Sequence, residues 1–170
     1  EARPAAMTDA GANAVARRLG ADDVALMEAM SSMFGEAFGE QQVHSAARPS
    51  ASYLRRLLAG DNFIAVAALA GGNVVGGLVA YELRKYEQER SEIYLYDLAV
   101  AASHRRRGIA TALIAELGRI ATERGAWVIF VQADHGDDPA IALYTRLGRR
   151  EDVLHFDIPV RPAASRDGKP

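Results

Sequence analysis

Arg105-Arg106-Arg107-Gly108-Ile109-Ala110-Thr111 is the stretch on which the reading of this chain turns. It joins an apolar run, Ile93 to Val100, to a helical pattern that carries Ile109, Leu113, Leu117 and Ile120 on one stripe and stops at Gly125. A turn whose helix opens with small residues leaves backbone N–H groups uncovered and convergent, and the helix dipole adds positive potential there. The sequence predicts a nucleotide-like, diphosphate-bearing anion at this turn.

Upstream, Ala14 to Leu19 reads as a short strand, and Asp22 as the N-cap of a helix with Val24, Leu26, Met27, Met30 and Phe34 inward, interrupted by Gly35 and Gly39. A second helix is expected from Ser50 to Ala59, burying Leu54, Leu57 and Leu58. Phe63 to Leu69 and Val74 to Leu83 read as a hairpin across Ala70-Gly71-Gly72-Asn73, with Tyr86 to Glu89 as the next turn. Ile93 to Val100 is apolar on both faces, which places it centrally in a sheet. Downstream, Trp127 to Val131 reads as a buried strand and Asp137-Asp138-Pro139 as the start of a helix ending at Gly148. Val153 to Ile158 reads as a last strand. The order predicts a mixed α/β sheet.

The chain has 170 residues, 49% hydrophobic and 25% charged, which fits one globular domain. A formal charge of -2 argues against a general nucleic-acid binder. The absence of cysteine removes disulfides, a thiolate nucleophile and Cys-based zinc sites. No apolar run approaches the roughly 20 residues of a membrane span, and no basic-then-apolar leader opens the chain, so a cytoplasmic protein is expected. His44, His104, His135 and His155 lack metal-ligand spacing, so no metal is expected. Residues 1–13 are expected to be disordered, with Met7 a candidate native start, and 161–170 to form a flexible tail around a single domain, 14–160.

Arg105-x-x-Gly108-x-Ala110 after a central strand resembles the acetyl-CoA pyrophosphate signature of the GCN5-related N-acetyltransferase (GNAT) superfamily. Asp137 through Gly148 resembles that superfamily's late helix, with Asp137 where an Asn often stands and Arg149 where a Phe usually follows. Phe34-Gly35-Glu36-Ala37-Phe38-Gly39, Glu87-Gln88, Arg90-Ser91-Glu92-Ile93-Tyr94, Tyr96-Asp97-Leu98-Ala99-Val100, Gln132-Ala133-Asp134 and Gly136-Asp137-Asp138-Pro139 are similar to the type I aminoglycoside 3-N-acetyltransferases. The likeness runs from about Arg18 to Asp157.

The resemblance implies a GNAT fold, a mixed, mostly antiparallel sheet flanked by helices with splayed central strands. It implies acetyl-CoA as cosubstrate and direct acetyl transfer, in a ternary complex, to the 3-amino group of gentamicin-like antibiotics, hence drug resistance. It also implies a homodimer. The backbone of Leu98, Ala99 and Val100 would pair with the pantetheine arm, and an N–H near Leu98 would hold the oxyanion. The amides from Arg106 to Thr111 would hold the pyrophosphate, with Arg105, Arg106 and Arg107 screening its charge. Tyr144 falls where the superfamily protonates the departing thiolate.

An acceptor ammonium must lose a proton before it attacks, and Asp97 is the first candidate base, since an acid in an apolar strand is costly to bury unless it is used or paired. Glu92, Asp134, Asp137, Asp138, Glu36 and Glu40 are candidate carboxylates for a polycationic acceptor. Against these roles stand ordinary ones: Asp97 satisfied by amides at a bulge, Asp137 or Asp138 capping a helix, Tyr144 packing on the sheet, the arginines as a solvated loop. Asp134 competes with Asp97 as base. Rival functions are a polyamine or small-amine acetyltransferase, a noncatalytic acyl-CoA-binding regulatory domain, and an RNA-binding module.

Overall fold

Alternation within the Phe63–Ala70 strand sends Phe63, Ala65 and Ala67 to one face and Ile64, Val66 and Ala68 to the other, and all six side chains are buried. The sheet they belong to is therefore covered on both faces. In the computed structural model, which describes residues 14–40 and 47–160, the elements are β1 (Val15–Arg18), α1 (Val24–Phe38), α2 (Ala51–Ala59), β2 (Phe63–Ala70), β3 (Asn73–Arg84), β4 (Ser91–Val100), α3 (Ile109–Glu123), β5 (Ala126–Val131) and α4 (Asp138–Leu147). The sheet order is β1-β2-β3-β4-β5, antiparallel except for the parallel β4–β5 pair. This is the mixed α/β sheet that the residue order predicted, mostly antiparallel and flanked by helices. Two compact units divide at Gln132/Ala133: the first holds the sheet with α1, α2 and α3, and the second holds α4 and the chain beyond it.

α1 and α2 cover one face, through Met27, Met30, Met33, Phe34, Leu54 and Leu58 packed with Phe63, Ala65, Ala67, Val79 and Ala99. The α3 stripe, Ile109, Leu113, Leu117 and Ile120, is buried as its spacing predicted. Two adjacent glycines in β3 set how closely the layers approach. A Cβ on Gly76 would lie 2.9 Å from Ile109 Cγ2, and one on Gly77 would lie 2.6 Å from Met30 Cγ. Only bare backbone lets α3 and α1 press on β3 from opposite sides at consecutive residues. At the far end of α3, Arg124 pairs with Glu82 and donates to the Asp61 carbonyl at 2.7 Å. Ser91 Oγ donates to the same Glu82 at 2.7 Å, so β3, β4 and α3 share one polar knot.

Four expectations are corrected. Asp23, not Asp22, precedes α1, and its side chain turns back to accept from Gly20 N–H and to pair with Arg17 at 2.9 Å rather than capping the helix. Gly35 does not interrupt α1; it is buried inside the helix, which ends at Gly39 in the left-handed conformation. β5 is not a buried strand: Trp127 is 70% exposed because, among the described residues, β5 has β4 on one edge and no strand on the other. Val153–Ile158 is not a strand; it has no ladder partner among the described residues, and its apolar side chains are exposed. The terminal segments 1–13 and 161–170, Met7 and His44 lie outside the described residues.

Two predictions follow from this packing. Gly77→Ala should cost about 1–3 kcal/mol by overpacking against the fully buried Met30, read as a lowered denaturant midpoint at unchanged m-value and partly restored by adding Met30→Ala. The Arg17 guanidinium, then the Gly20 amide, hold the Asp23 carboxyl below the usual carboxylate range. The stability this gives is fully present above the unfolded carboxylate value and is lost as pH falls through the depressed one. Asp23→Asn should therefore flatten that part of the acid limb of a stability-versus-pH curve while leaving its neutral-to-basic shape unchanged.

Candidate active site

The chemistry-bearing half of β4 begins at an irregularity in its pairing. Val79 faces Asp97 and Ala80 faces Leu95, so Tyr96 is an extra residue opposite β3, a β-bulge. The bulge resets the alternation. Tyr94 and Tyr96 contact each other edge-on at 5.5 Å, and Tyr96 meets Tyr81 at 5.7 Å. Asp97, the very next residue, lines the same face as Tyr81. Without the extra residue, Asp97 would point to the opposite side.

The parallel ladder to β5 runs only from Ser91 to Leu95, whereas the ladder to β3 continues to Val100. Tyr96 to Val100 thus present a strand edge with no β5 partner among the described residues. The predicted splay of the central strands is present, and Leu98, Ala99 and Val100 lie on it.

Asp97 opens into a cavity of about 190 Å³ walled by α1, α2 and the sheet. Phe63, Val79 and Tyr81 come from β2 and β3, Tyr53 and Leu57 from α2, and Glu28, Ser31 and Ser32 from α1. The wall is mostly apolar, with carboxylates at Asp97 and Glu28 and one cation, Arg48, among its lining residues. Burial, the neighbouring Tyr96 and Tyr53 phenols and the Asp97 carboxylate push the Tyr81 phenol up. Burial, Tyr96 and Asp97 do the same to Tyr94, whose hydroxyl donates to Gln132 at 2.8 Å. Both tyrosines stay neutral at physiological pH and can donate hydrogen bonds next to Asp97.

At the other end of β4, a short 3-10 turn, Ala102–His104, leads into the arginine run. Arg105 Nε donates to the Val100 carbonyl at 3.3 Å, fastening the run to the strand tip. Arg106 has φ 62 and Gly108 φ 77, so the chain twice enters the left-handed region before α3 begins. Gly108 is the N-cap and offers no side chain to occupy the first-turn amides. The N–H groups of Ile109, Ala110 and Thr111 are left to an external acceptor or to water. Arg105, Arg106 and Arg107 are all exposed.

The remaining candidate residues are dispersed. Glu92 sits at the start of β4 with Lys85 at 3.8 Å and Arg90 at 3.9 Å, and it is absent from the cavity wall. Glu36 and Glu40 are exposed at the end of α1, beyond the cavity-lining turns. In the second unit, Asp137 caps α4 by accepting from Ala140 N–H at 3.2 Å, which leaves Asp138 and Asp134 exposed. Tyr144 is half-buried, and burial together with the Asp137 carboxylate pushes its phenol up. Among the described residues, no group of three or more His, Asp or Glu is arranged to hold a metal, and no helix is long and apolar enough to cross a membrane.

Sequence reasoning missed Glu28, Tyr53 and Tyr81. One signal was available for the first: Glu28, Ser31 and Ser32 form a polar strip beside the Met27-Met30-Phe34 stripe of α1.

Comparisons with known proteins bear on this arrangement. The Acetyltransferase (GNAT) family model matches residues 25–148. The solved aminoglycoside acetyltransferase HMB0005, from an uncultured soil metagenomic sample, is 59% identical, with a TM-score of 0.86 over 87% of this chain and 99% of its own. Another from such a sample, meta-AAC0020, solved in complex with sisomicin, is 31% identical, with a TM-score of 0.81 over 87% of this chain and 97% of its own. N-acetyltransferase family 8 member 2 of Rattus norvegicus is 31% identical over 89 residues, 52% of this chain, and the match spans 39% of that relative's length. With the forked β4, the open α3 N-terminus and a family match over most of its length, the chain belongs to the acetyltransferase (GNAT) family.

Proposed function

We propose that this protein is an acetyl-CoA-dependent aminoglycoside N-acetyltransferase that modifies the 3-amino group of gentamicin-like antibiotics and so confers resistance to them. The observation that carries the reading is the forked end of β4: among the described residues its ladder to β5 ends at Leu95 while that to β3 runs on to Val100, and next to the bulge a carboxylate lines a cavity. The 59% identity to a solved aminoglycoside acetyltransferase supports the substrate class. Supporting the kind of drug is the relative solved with sisomicin.

In this reading the edge of Leu98, Ala99 and Val100 binds the pantetheine arm as an added strand would bind. The amides of Arg106 to Thr111 receive the pyrophosphate at the positive end of α3, and Arg105, Arg106 and Arg107 lower the potential cost of its charges. Asp97 takes the proton from the acceptor ammonium, directly or through a water, and the free amine attacks the thioester carbonyl. The Leu98 N–H stabilises the charge that develops on the carbonyl oxygen. Collapse breaks the carbon–sulfur bond, Tyr144, kept protonated by its raised value, supplies the proton to the thiolate, and the second proton released by the nitrogen as it becomes an amide restores the phenol through solvent. Glu28 joins Asp97 in attracting a polycation, while Glu36, Glu92, Asp134 and Asp138 act as outlying carboxylates that raise its local concentration. Acetylation removes one positive charge from the drug and weakens its hold on RNA phosphates. The enzyme acts as a soluble cytoplasmic protein.

The test is acetyl transfer to gentamicin measured beside spermidine, with the modified nitrogen located by NMR. Transfer to N3 with a clear preference for gentamicin is expected; preference for spermidine, or modification at another amine, overturns the assignment. Asp97→Asn should lower kcat by about 10²–10⁴-fold, with little change in KM for acetyl-CoA. Tyr144→Phe should slow turnover with folding intact, and the loss should shrink when a thioester with a more acidic leaving thiol replaces acetyl-CoA.

A further inference from the structure

The cavity beside Asp97 is smaller than the acceptor proposed for it, and its wall carries charges of both signs. It measures about 190 Å³. An apolar cavity of roughly 150 Å³ holds benzene, whereas pockets that enclose a drug-sized ligand run to roughly 300 Å³ or more. There is room for one amine-bearing ring of a larger acceptor, so whatever chooses among several amines must act on that ring and its substituents. All of the lining residues belong to the first unit.

Three elements bring charge to this wall: α1, the chain entering α2, and β4. Glu28 stands one turn before Ser31 and Ser32, and helical spacing puts the three side chains on one strip of α1. Met30 of the same helix rests on the bare backbone of Gly77, which fixes the height of that strip above the sheet. Arg48 is held just ahead of α2. There Pro49 restricts the backbone, and the Ser50 hydroxyl caps the helix by accepting from Tyr53 N–H at 3.2 Å. Neither the Glu28 carboxylate nor the Arg48 guanidinium takes part in an ion pair among the described residues, with the other or with a third group.

An acceptor with a single ammonium group needs only Asp97. One with several must turn so that a second ammonium meets Glu28 and a neutral flank meets Arg48, since the first contact attracts and the other repels. A wall of carboxylates alone would take any amine of such a ring, and one cation in that wall removes the degeneracy. We infer that Glu28 and Arg48 together select which amine of a polyamine acceptor is delivered to Asp97, Glu28 by drawing in a second ammonium group and Arg48 by excluding it.

This inference rests on the amine-acetylating function proposed above, and its test separates the two. Transfer is measured to cyclohexylamine, to cis-1,3-diaminocyclohexane and to gentamicin, with the modified gentamicin nitrogen located by NMR. The diamine-to-monoamine ratio of kcat/KM should fall roughly fivefold in Glu28→Gln, mainly through KM for the diamine, recover in Glu28→Asp, and rise in Arg48→Gln. At about 1 M salt these differences should shrink, because they arise from charges that solvent ions screen. With gentamicin, Arg48→Gln should add products at nitrogens that the parent enzyme leaves unmodified. Exchanging the two charges, Glu28→Arg with Arg48→Glu, should move the main product to another nitrogen at unchanged far-UV circular dichroism. Ratios and product nitrogens identical to the parent's in Glu28→Gln and Arg48→Gln, or changes that salt leaves untouched, would overturn the inference. A parent enzyme that modifies a nitrogen other than N3, or ignores gentamicin while acetylating the ring amines, overturns the proposed function and leaves the ratios to decide this inference. Absence of transfer to all three acceptors overturns both.

Discussion

From Tyr96 to Val100, β4 stays laddered to β3 but, among the described residues, no longer to β5, and its neighbours keep it straight in that condition. A strand with one free edge is ordinarily a weak element, since half its backbone groups depend on solvent. Here it is braced by its neighbours. β3 pairs with it to the very end, Ala99 is buried among the α1 and α2 side chains, and the Arg105 side chain ties the loop back to Val100. Its edge toward β5 is therefore presented on a fixed line, between a cavity that Asp97 lines and a helix start whose Gly108 N-cap has no side chain.

The single extra residue at Tyr96 is what allows one strand to serve two purposes. Before it, Ile93 and Leu95 are fully or almost fully buried in the core. After it, Asp97 reaches the side on which Tyr81 and Tyr94 lie, and both phenols are pushed up partly by its charge. Desolvated phenols beside a carboxylate form an environment in which an ammonium ion finds one anionic partner and several neutral donors or π faces. A preference of this cavity for a cation would thus come from local composition, not from the chain's net charge, which is close to zero.

Much of this was legible from residue order, and what was not legible has physical causes. The α3 stripe and the tip of β4 were readable because period and small residues define them locally. The bulge was not, because a one-residue offset exists only in the register between β3 and β4. The apolar run Trp127 to Val131 signalled a strand correctly, but no periodicity says whether a strand has one neighbour or two. Gly35 looked like a breaker because propensity counts its entropy and not the burial that it gains inside α1. Asp97 was singled out from its own chemistry, an acid among apolar residues. Tyr53 and Tyr81 were not, since each is an ordinary aromatic in its own element and joins the site only when α2 and β3 meet.

The adjacent glycines of β3 have a mechanical meaning. Ile109, the first residue of the helix that opens at the arginine turn, rests on Gly76; Met30, from the helix that walls the cavity, rests on Gly77. The spacer between those two contacts is a single peptide plane. Bond angles and ω resist deformation steeply, so the plane behaves as a stiff shim, and any displacement of one helix tip is passed across the sheet to the other with almost no side-chain cushion to absorb it.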